Sequence, residues 1–287
     1  MESFFEQVKT RIKRIGSVLC VGLDTVEKQI PDMLRGEDNP QLAFNRAVID
    51  ATHGLACCYK TNMAFYLAAG VKGFDALKST IGCAHSLGVP VILDAKWGDI
   101  GHTADYYAQT AFETLEADAV TVNPYMGEEA IAPFRNYSDR GVFVLCYTSN
   151  LSRIDLQTQM VSIPDSPLSP LYKIVARKIV EWNTAGNLGA VAGATAPEEL
   201  ARIREIVGPS LPILCPGIGA QGGDLEEVLW AGMAAEGTLY INVSRAIINA
   251  SSGADFAQAA QREAKMFVDQ MQMHFAQARA VKNSTVE

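Results

Sequence analysis

Residues 89–100 of the chain are VPVILDAKWGDI, and this stretch decides the fold. The unbroken apolar run from Val89 to Leu93 is typical of a strand that is buried on both faces, as strands are in a parallel sheet covered by helices. Three charged residues, Asp94, Lys96 and Asp99, follow it directly. A buried strand that passes straight into charged residues predicts a functional site at its carboxyl end.

Seven similar runs are spaced along the chain and alternate with segments of helical apolar spacing, such as Gln41 to Gly54 and Ala104 to Glu116. This alternation over 287 residues predicts an α/β fold, a (β/α)8 TIM barrel that forms a single domain over residues 1–287. An open doubly wound sheet is the alternative. The eight predicted strands are Ser17 to Leu23, Ala56 to Tyr59, Val89 to Leu93, Ala119 to Val122, Val142 to Cys146, Leu188 to Ala192, Pro212 to Cys215 and Leu239 to Val243.

One connection, residues 149–170, is much longer than the others and contains three prolines, Pro164, Pro167 and Pro170. Long loops in compact domains are usually either functional lids or local insertions. We therefore treat residues 149–170 as an inserted loop, either a lid or a surface excursion.

Composition and charge narrow the classes of function. The net charge of −8 and the pI near 5.1 argue against nucleic-acid binding, because a protein that binds polyanions usually carries a basic surface. No stretch approaches the roughly 20 apolar residues of a membrane span, and we expect a cytoplasmic protein. The six cysteines lie mostly in apolar runs without metal-ligand spacing, which predicts reduced, buried thiols.

Polar residues collect where the predicted strands end, which is the edge at which barrel enzymes place their active sites. Asp94 and Lys96 are two residues apart, so their side chains share a face of the strand, and Lys60 ends the neighbouring strand. Alternating carboxylates and ammonium groups would keep buried charges paired. The alternative is a salt bridge that merely closes the barrel. The residues at these strand ends are Asp24, Lys60, Asp94, Lys96, Asp99, Asn123, Thr148, Ser149, Ser244 and Arg245.

A glycine-rich loop, PGIGAQGGD over residues 216–224, follows the seventh predicted strand, and Arg245 follows the eighth. These two loops commonly bind phosphate in TIM barrels, because glycine lets backbone N–H groups approach the anion. Arg245 adds charge-assisted hydrogen bonds. The pattern predicts a phosphate site, although glycine alone also suits ordinary tight turns. We expect His53, His85 and His102 to be ordinary helix or surface histidines.

The motifs DAKWGDIGHT (residues 94–103) and PGIGAQGG (residues 216–223) resemble those of the orotidine 5'-monophosphate decarboxylases. The resemblance extends from VGLD at residues 21–24 to NVSR at residues 242–245, and VNPY at residues 122–125 with the insertion is similar to the longer bacterial form. The Asp-x-Lys-x-x-Asp part is shared with sugar-phosphate lyases and synthases. Ile100 and the proline-led loop are more specific.

The resemblance implies decarboxylation of orotidine 5'-monophosphate to uridine 5'-monophosphate, the last step of de novo pyrimidine nucleotide synthesis, without a metal or an organic cofactor. It implies a catalytic group in which Lys96 protonates carbon 6, and a homodimer with shared active sites. The implied catalytic residues are Lys60, Asp94, Lys96 and Asp99; the implied substrate-binding residues are Asp24, Ile100, Thr103, Asn123, Thr148, Ser149, Pro216, Gln221, Gly222, Ser244 and Arg245.

Within that set, Asp99, Ile100 and Thr103 would reach into the partner subunit's site. Either Thr148 or Ser149 would contact the pyrimidine. Two other functions keep the same phosphate loop. One is a metal-dependent enzyme acting on a sugar phosphate, and the other is a non-catalytic sensor of a phosphate ligand. The complete set of charged residues argues against the sensor.

Overall fold

Eight parallel strands close into a barrel in the computed structural model of the protein, which describes residues 2–163, 167–219, 222–233 and 238–284, with side chains up to residue 277. Each strand pairs with its neighbours in sequence around the barrel, and the first strand pairs with the last. The predicted (β/α)8 barrel is therefore confirmed, and the open sheet is excluded.

The described residues form ten strands and eleven α-helices, which are numbered in chain order. The strands are β1 Leu19–Gly22, β2 Cys58–Asn62, β3 Val91–Trp97, β4 Ala119–Val122, β5 Gly141–Tyr147, β6 Met160–Val161, β7 Ser169–Pro170, β8 Leu188–Ala192, β9 Ile213–Pro216 and β10 Leu239–Val243. The helices are α1 Phe4–Ile15, α2 Pro40–Thr52, α3 Met63–Leu67, α4 Gly70–Ser86, α5 Gly101–Gln109, α6 Ala132–Arg135, α7 Leu171–Trp182, α8 Pro197–Val207, α9 Leu225–Gly232, α10 Arg245–Ile248 and α11 Phe256–Ser284.

All eight predicted strands are present, but β2 and β3 continue three and four residues beyond their predicted ends. The sheet runs through Lys60 to Asn62 in β2 and through Asp94 to Trp97 in β3, where the sequence turns polar. The polar residues thus belong to the strands rather than to the loops after them. One predicted helix also differs, because α5 ends at Gln109 and residues 110–114 continue as a π-helical turn.

The amino-terminal end of the barrel is closed by helix α1. Phe4 is 1% exposed and packs edge-on against Phe143 and Tyr240, with ring centroids 6.1 and 6.4 Å away. Gly141 makes room for it, since a Cβ at that position would lie 2.4 Å from the Phe4 ring. This aromatic plug seals one end, so the polar pocket opens at the other.

Two buried arginines tie the helices to the ends of the strands through backbone carbonyls. Arg11 donates to the carbonyls of His53, Ala56 and Gly88. Arg204 donates to four carbonyls, those of Gly208, Leu211, Gly232 and Thr238. Neither guanidinium lies at the polar end, so both serve the scaffold.

The inserted loop, residues 149–170, contains a short 3-10 helix and a two-stranded antiparallel ribbon, β6 with β7. Arg153 joins it to the barrel: Nη1 donates to the carbonyl of Ser149 and to Thr195 Oγ1, at 3.2 and 3.0 Å. The guanidinium also lies 5.1 Å from the centre of the Tyr147 ring. The insertion is thus anchored beside the polar end of the barrel. Pro164 lies outside the described residues.

No helix among the described residues is long and apolar enough to cross a membrane.

Candidate active site

A pocket of about 240 Å³ opens at the carboxyl ends of the barrel strands. This is the edge where TIM barrels carry their active sites, and it is where the sequence predicted one. Residues from all eight barrel strands or the loops after them line it. They are Asp24, Lys60, Asn62, Asp94, Lys96, Thr121, Ser149, Val191, Leu214, Pro216, Gly217, Ile218, Asn242, Ser244 and Arg245.

Four charged residues of the pocket, Asp24, Lys60, Asp94 and Lys96, form a cluster that we call the charged group. The Asp94 carboxylate lies at its centre. Its Oδ2 lies 3.1 Å from Lys60 Nζ, and its Oδ1 lies 2.6 Å from Lys96 Nζ and 2.7 Å from Thr121 Oγ1. Lys60 Nζ is also 3.6 Å from Asp24 Oδ1. The predicted alternation of carboxylates and ammonium groups is therefore present within one chain for Asp24, Lys60, Asp94 and Lys96.

These contacts keep the buried groups charged. Burial alone would raise the pKa of the Asp94 carboxyl, but attraction to Lys60 and Lys96 holds that pKa well below its ordinary value. Burial would lower the pKa of the Lys60 ammonium, but Asp24 and Asp94 raise it above its ordinary value. Lys60 and Asp94 are almost fully buried, whereas 46% of the Lys96 side chain is exposed. Lys96 is thus the ammonium most open to a bound molecule.

Lys96 stands on an irregular part of β3. Leu93 pairs with Val120 and Trp97 pairs with Val122, so three residues of β3 lie opposite Thr121 alone. Lys96 has φ of 53°, in the left-handed region that a residue with a Cβ rarely adopts. Bulges of this kind re-aim side chains and are common beside active sites.

Asp24 is positioned by a buried hydrogen-bond network around Asn45. Thr25 Oγ1 donates to Asn45 Oδ1, and the Asn45 amide donates to Tyr66 and Thr80. Tyr66 in turn donates to the Leu23 carbonyl at 2.8 Å. The network holds the backbone on both sides of Asp24. Among the described residues, no donor forms a hydrogen bond with the buried Asp24 Oδ1, which instead faces the Lys60 ammonium at 3.6 Å.

The first residues of the predicted phosphate loop, 216–218, line the same pocket as the charged group. Gly217 and Gly222 have φ of 112° and 83°, values open to glycine at little cost. Ser244 Oγ comes so close to β1 that a Cβ on Gly22 would lie 1.8 Å from it. Arg245 follows and is exposed. Gln221 lies outside the described residues.

Thr148 and Ser149, which the sequence did not separate, differ in position. Ser149 lines the pocket, beside Gly193, where a Cβ would lie 2.7 Å from the Ser149 nitrogen. The Thr148 hydroxyl instead donates to Asn150 Oδ1 and accepts from Gln157 Nε2 in the insertion. The geometry favours Ser149 as the residue that faces a ligand.

Gly222 and four other predicted site residues do not line the pocket of a single chain. The Asn123 side chain accepts from the Tyr125 nitrogen and shapes the turn after β4. Asp99 accepts from the Ile100 nitrogen. Ile100 is 46% exposed, and Thr103 is exposed on the first turn of α5. An exposed isoleucine beside exposed polar residues suits contact with a second subunit.

Thr121 and Asn242 line the pocket but were not among the predicted site residues. Thr121 is 1% exposed and Asn242 is 5% exposed, and Asn242 donates to the Cys20 carbonyl at 3.1 Å. Each is a polar residue within an otherwise apolar buried strand. Buried polar groups need partners, so this pattern was the available signal. Within the described ranges, no group of three or more His, Cys, Asp or Glu is placed to hold a metal ion.

Known proteins resemble this chain over nearly its whole length. The family model described as "Orotidine 5'-phosphate decarboxylase / HUMPS family" matches residues 17–262. The orotidine 5'-phosphate decarboxylase of Ralstonia pickettii is 46% identical over 272 residues, which cover 93% of this chain and 97% of that protein. The range matched by the family model, residues 17–262, includes every residue that lines the pocket.

Solved structures of proteins with related names also resemble this chain. The OMP decarboxylase of Leishmania donovani is 39% identical, with a TM-score of 0.78, and the match covers 94% of this chain and 99% of that one. The UMP synthase of the same organism is 41% identical, with a TM-score of 0.80, over 95% of this chain and 57% of that longer one. The chain belongs to the orotidine 5'-phosphate decarboxylase / HUMPS family.

Proposed function

We propose that this protein is a carboxy-lyase that converts orotidine 5'-monophosphate to uridine 5'-monophosphate and carbon dioxide, the last step of de novo pyrimidine nucleotide synthesis. The observation that carries the proposal is the exposed Lys96 ammonium, held 2.6 Å from the buried Asp94 carboxylate in the barrel pocket. Relatives that match 93% and 94% of the chain are named for this reaction.

The chemistry needs a fixed cation beside carbon 6 of the pyrimidine. When the bond between carbon 6 and the carboxylate breaks, the electron pair stays on carbon 6, where ring resonance does not stabilise it. The Lys96 ammonium stabilises this developing charge and then donates a proton to carbon 6. The proposal requires no metal or organic cofactor, because Lys96 supplies both the positive charge and the proton.

Asp94 assists by position. Its depressed pKa keeps it ionised at neutral pH, and it would lie against the substrate carboxylate. Repulsion between the two carboxylates is relieved as carbon dioxide leaves. Asp94 also positions Lys96 and Lys60 through ion pairs. We assign the larger share of the catalysis to Lys96, because it supplies both the positive charge and the proton.

The rest of the pocket suits a nucleotide. Asp24 and Lys60 would bind the ribose hydroxyls, and their position in the pocket lining supports this. Ser149 would contact the pyrimidine. Arg245 and Ser244, with the loop that includes Pro216, Gln221 and Gly222, would bind the phosphate. Phosphate binding far from the reacting bond can drive closure of the loop and so raise turnover.

We also infer a homodimer in which Asp99, Ile100 and Thr103 complete the partner's site. The exposure of Ile100 and Thr103 supports this assembly. We place the enzyme in the cytoplasm, without nucleic-acid or membrane partners.

The competing function is a metal-dependent reaction of a sugar phosphate, since the Asp-x-Lys-x-x-Asp motif resembles that of sugar-phosphate lyases and synthases as well. The test follows the loss of ultraviolet absorbance of orotidine 5'-monophosphate by purified protein in excess chelator. We expect full activity for wild type and for Lys78→Ala, which changes an exposed lysine on α4, and loss of turnover for Lys96→Ala.

Turnover that requires an added divalent metal would overturn the cofactor-free mechanism. Absence of turnover by folded wild type, with or without metal, would overturn the assignment itself. Nucleotide binding without any turnover would instead support the sensor.

A further inference from the structure

The hydroxyl of Thr121 has an unusual position between two parts of the charged group. It accepts a hydrogen bond from the Lys96 backbone nitrogen at 3.0 Å, and it donates one to Asp94 Oδ1 at 2.7 Å. The same Asp94 oxygen lies 2.6 Å from Lys96 Nζ. Thr121 and this one carboxylate oxygen therefore link the backbone nitrogen of Lys96 to its side-chain ammonium.

The strand pairing explains why such a connection is needed. Three residues of β3, from Asp94 to Lys96, lie opposite Thr121 alone, so the regular ladder between the two strands is interrupted there. The Lys96 N–H bonds to the Thr121 side chain instead of to a backbone carbonyl. Lys96 is also held at φ of 53°, and a strained conformation of this kind persists only where the surroundings fix it.

We propose that Thr121 is a positioning residue, whose hydroxyl fixes the bulge of β3 and so aims the Lys96 ammonium at the reacting carbon. This inference rests on the proposed role of Lys96. Thr121 is 1% exposed, and both hydrogen-bonding functions of its hydroxyl are already used within the protein. It acts on the reaction through Lys96 and Asp94 rather than by binding the substrate.

The test compares Thr121→Val, which keeps the shape of the side chain but removes the hydroxyl, with Thr121→Ser, which keeps the hydroxyl. Without the hydroxyl, the Lys96 N–H loses its acceptor and Asp94 loses one donor. We expect kcat of Thr121→Val to fall about 100-fold, the size expected for a catalytic group displaced by about 1 Å. KM should change by less than about threefold, because the Thr121 hydroxyl bonds to Lys96 and Asp94 rather than to a residue proposed to bind the phosphate or the ribose.

Recovery of kcat in Thr121→Ser separates a positioning role of the hydroxyl from a general loss of structure. We expect Thr121→Ser to recover kcat to within about tenfold of wild type, and uridine monophosphate to bind both variants as it binds wild type. If Thr121→Val does not fold, Thr121→Ala replaces it and is compared with Thr121→Ser in the same way. Equal kcat in the variants with and without the hydroxyl would overturn the inference, as would a loss confined to KM.

The two proposals fail differently. If wild type turns over orotidine 5'-monophosphate, Lys96→Ala does not, and Thr121→Val matches wild type, the inference about Thr121 is wrong and the proposed function stands. If folded wild type does not turn over this substrate, the proposed function is wrong, and the role of Thr121 fails with it.

Discussion

Lys96 Nζ lies 2.6 Å from Asp94 Oδ1, although the backbone between the two residues has left the regular strand. On a regular strand, residues two apart share a face by default. Here the shared face is produced by a bulge and by a left-handed conformation at Lys96. The exposed ammonium is thus oriented by a buried carboxylate, and the carboxylate is balanced on its other side by Lys60.

Removal of the Asp94 charge should weaken the fold as well as the reaction. Asp94→Asn leaves the buried Lys60 with Asp24 as its remaining carboxylate, at 3.6 Å. Breaking a buried ion pair by removal of one partner costs about 3–5 kcal/mol, and we expect a loss near the lower end because Asp24 remains. Urea unfolding measures it, and turnover of orotidine 5'-monophosphate should be lost.

The matched control for that variant is Asp32→Asn. Asp32 pairs with Arg35 at 3.0 Å, but 90% of its side chain is exposed, and exposed pairs contribute little to stability. We expect no measurable change in the urea midpoint. Equal midpoints for Asp94→Asn and wild type would contradict the view that this carboxylate stabilises buried charge.

The barrel was predictable because eight apolar runs mark the strands buried between the interior and the helices. The ends of β2 and β3 were not predictable from that pattern. The predicted strands stop at Tyr59 and Leu93, yet pairing continues to Asn62 and Trp97. Apolar residues mark the part of each strand that is buried in the core, whereas the hydrogen-bonded strand continues into the polar pocket.

The charged residues of the site were predictable from their position after apolar runs, but their irregular support was not. The bulge in β3 depends on its pairing with β4, and neither strand shows that pairing by itself. Thr121 was missed for the same reason, since a lone threonine in a strand is also favoured by β-propensity. The residues at α5 remain predictions, because a second subunit is needed to test them.

The approach of Ser244 to β1 leads to a prediction about Gly22. A Cβ at residue 22 would lie 1.8 Å from Ser244 Oγ and 2.8 Å from Ser244 Cβ. Gly22→Ala should therefore cost at least about 2 kcal/mol of unfolding free energy, as overpacking of a filled site does. The measurement is chemical denaturation, with Gly82→Ala as control, because nothing lies within 4 Å of a Cβ there.

A double variant identifies the cause of that loss. Ser244→Gly removes the two nearest atoms that the new Cβ meets and leaves Asn242 Nδ2 at 3.2 Å, so Gly22→Ala should cost much less in the Ser244→Gly background. Additive losses would show that the strain comes from somewhere other than Ser244.

Arg204 gives a prediction for the scaffold away from the pocket. Burial lowers the pKa of its guanidinium to about 10, so it stays protonated at neutral pH while donating to four carbonyls. Arg204→Met would remove one donor from each of these carbonyls, of which that of Thr238 keeps the Ile213 nitrogen as a donor, at a cost of at least about 3 kcal/mol. Arg202→Met, at an exposed position on the same helix, should leave the thermal midpoint unchanged. If both variants have the same thermal midpoint as wild type, the four hydrogen bonds do not stabilise α8 and the strands beside it.

His85 should make stability depend on pH near neutrality. Its Nε2 lies 2.7 Å from Asp118 Oδ2, and Asp118 also accepts from the Val91 nitrogen at the start of β3. The hydrogen bond to Asp118 outweighs the opposing effect of burial and raises the pKa of His85 above its ordinary value of 6.5. A raised folded-state pKa means that the stabilisation is complete below about pH 6.5 and is lost as the pH rises through the folded-state value.

We therefore expect the stability difference between wild type and His85→Gln to be larger at pH 6 than at pH 8. Urea midpoints of both proteins at the two pH values measure it. His53→Gln is the control, because within the described residues no carboxylate forms an ion pair with His53, so its difference from wild type should show no comparable decrease. A difference for His85→Gln that stays constant or grows toward pH 8 would mean that the protonated imidazole is not what holds α4 to Asp118.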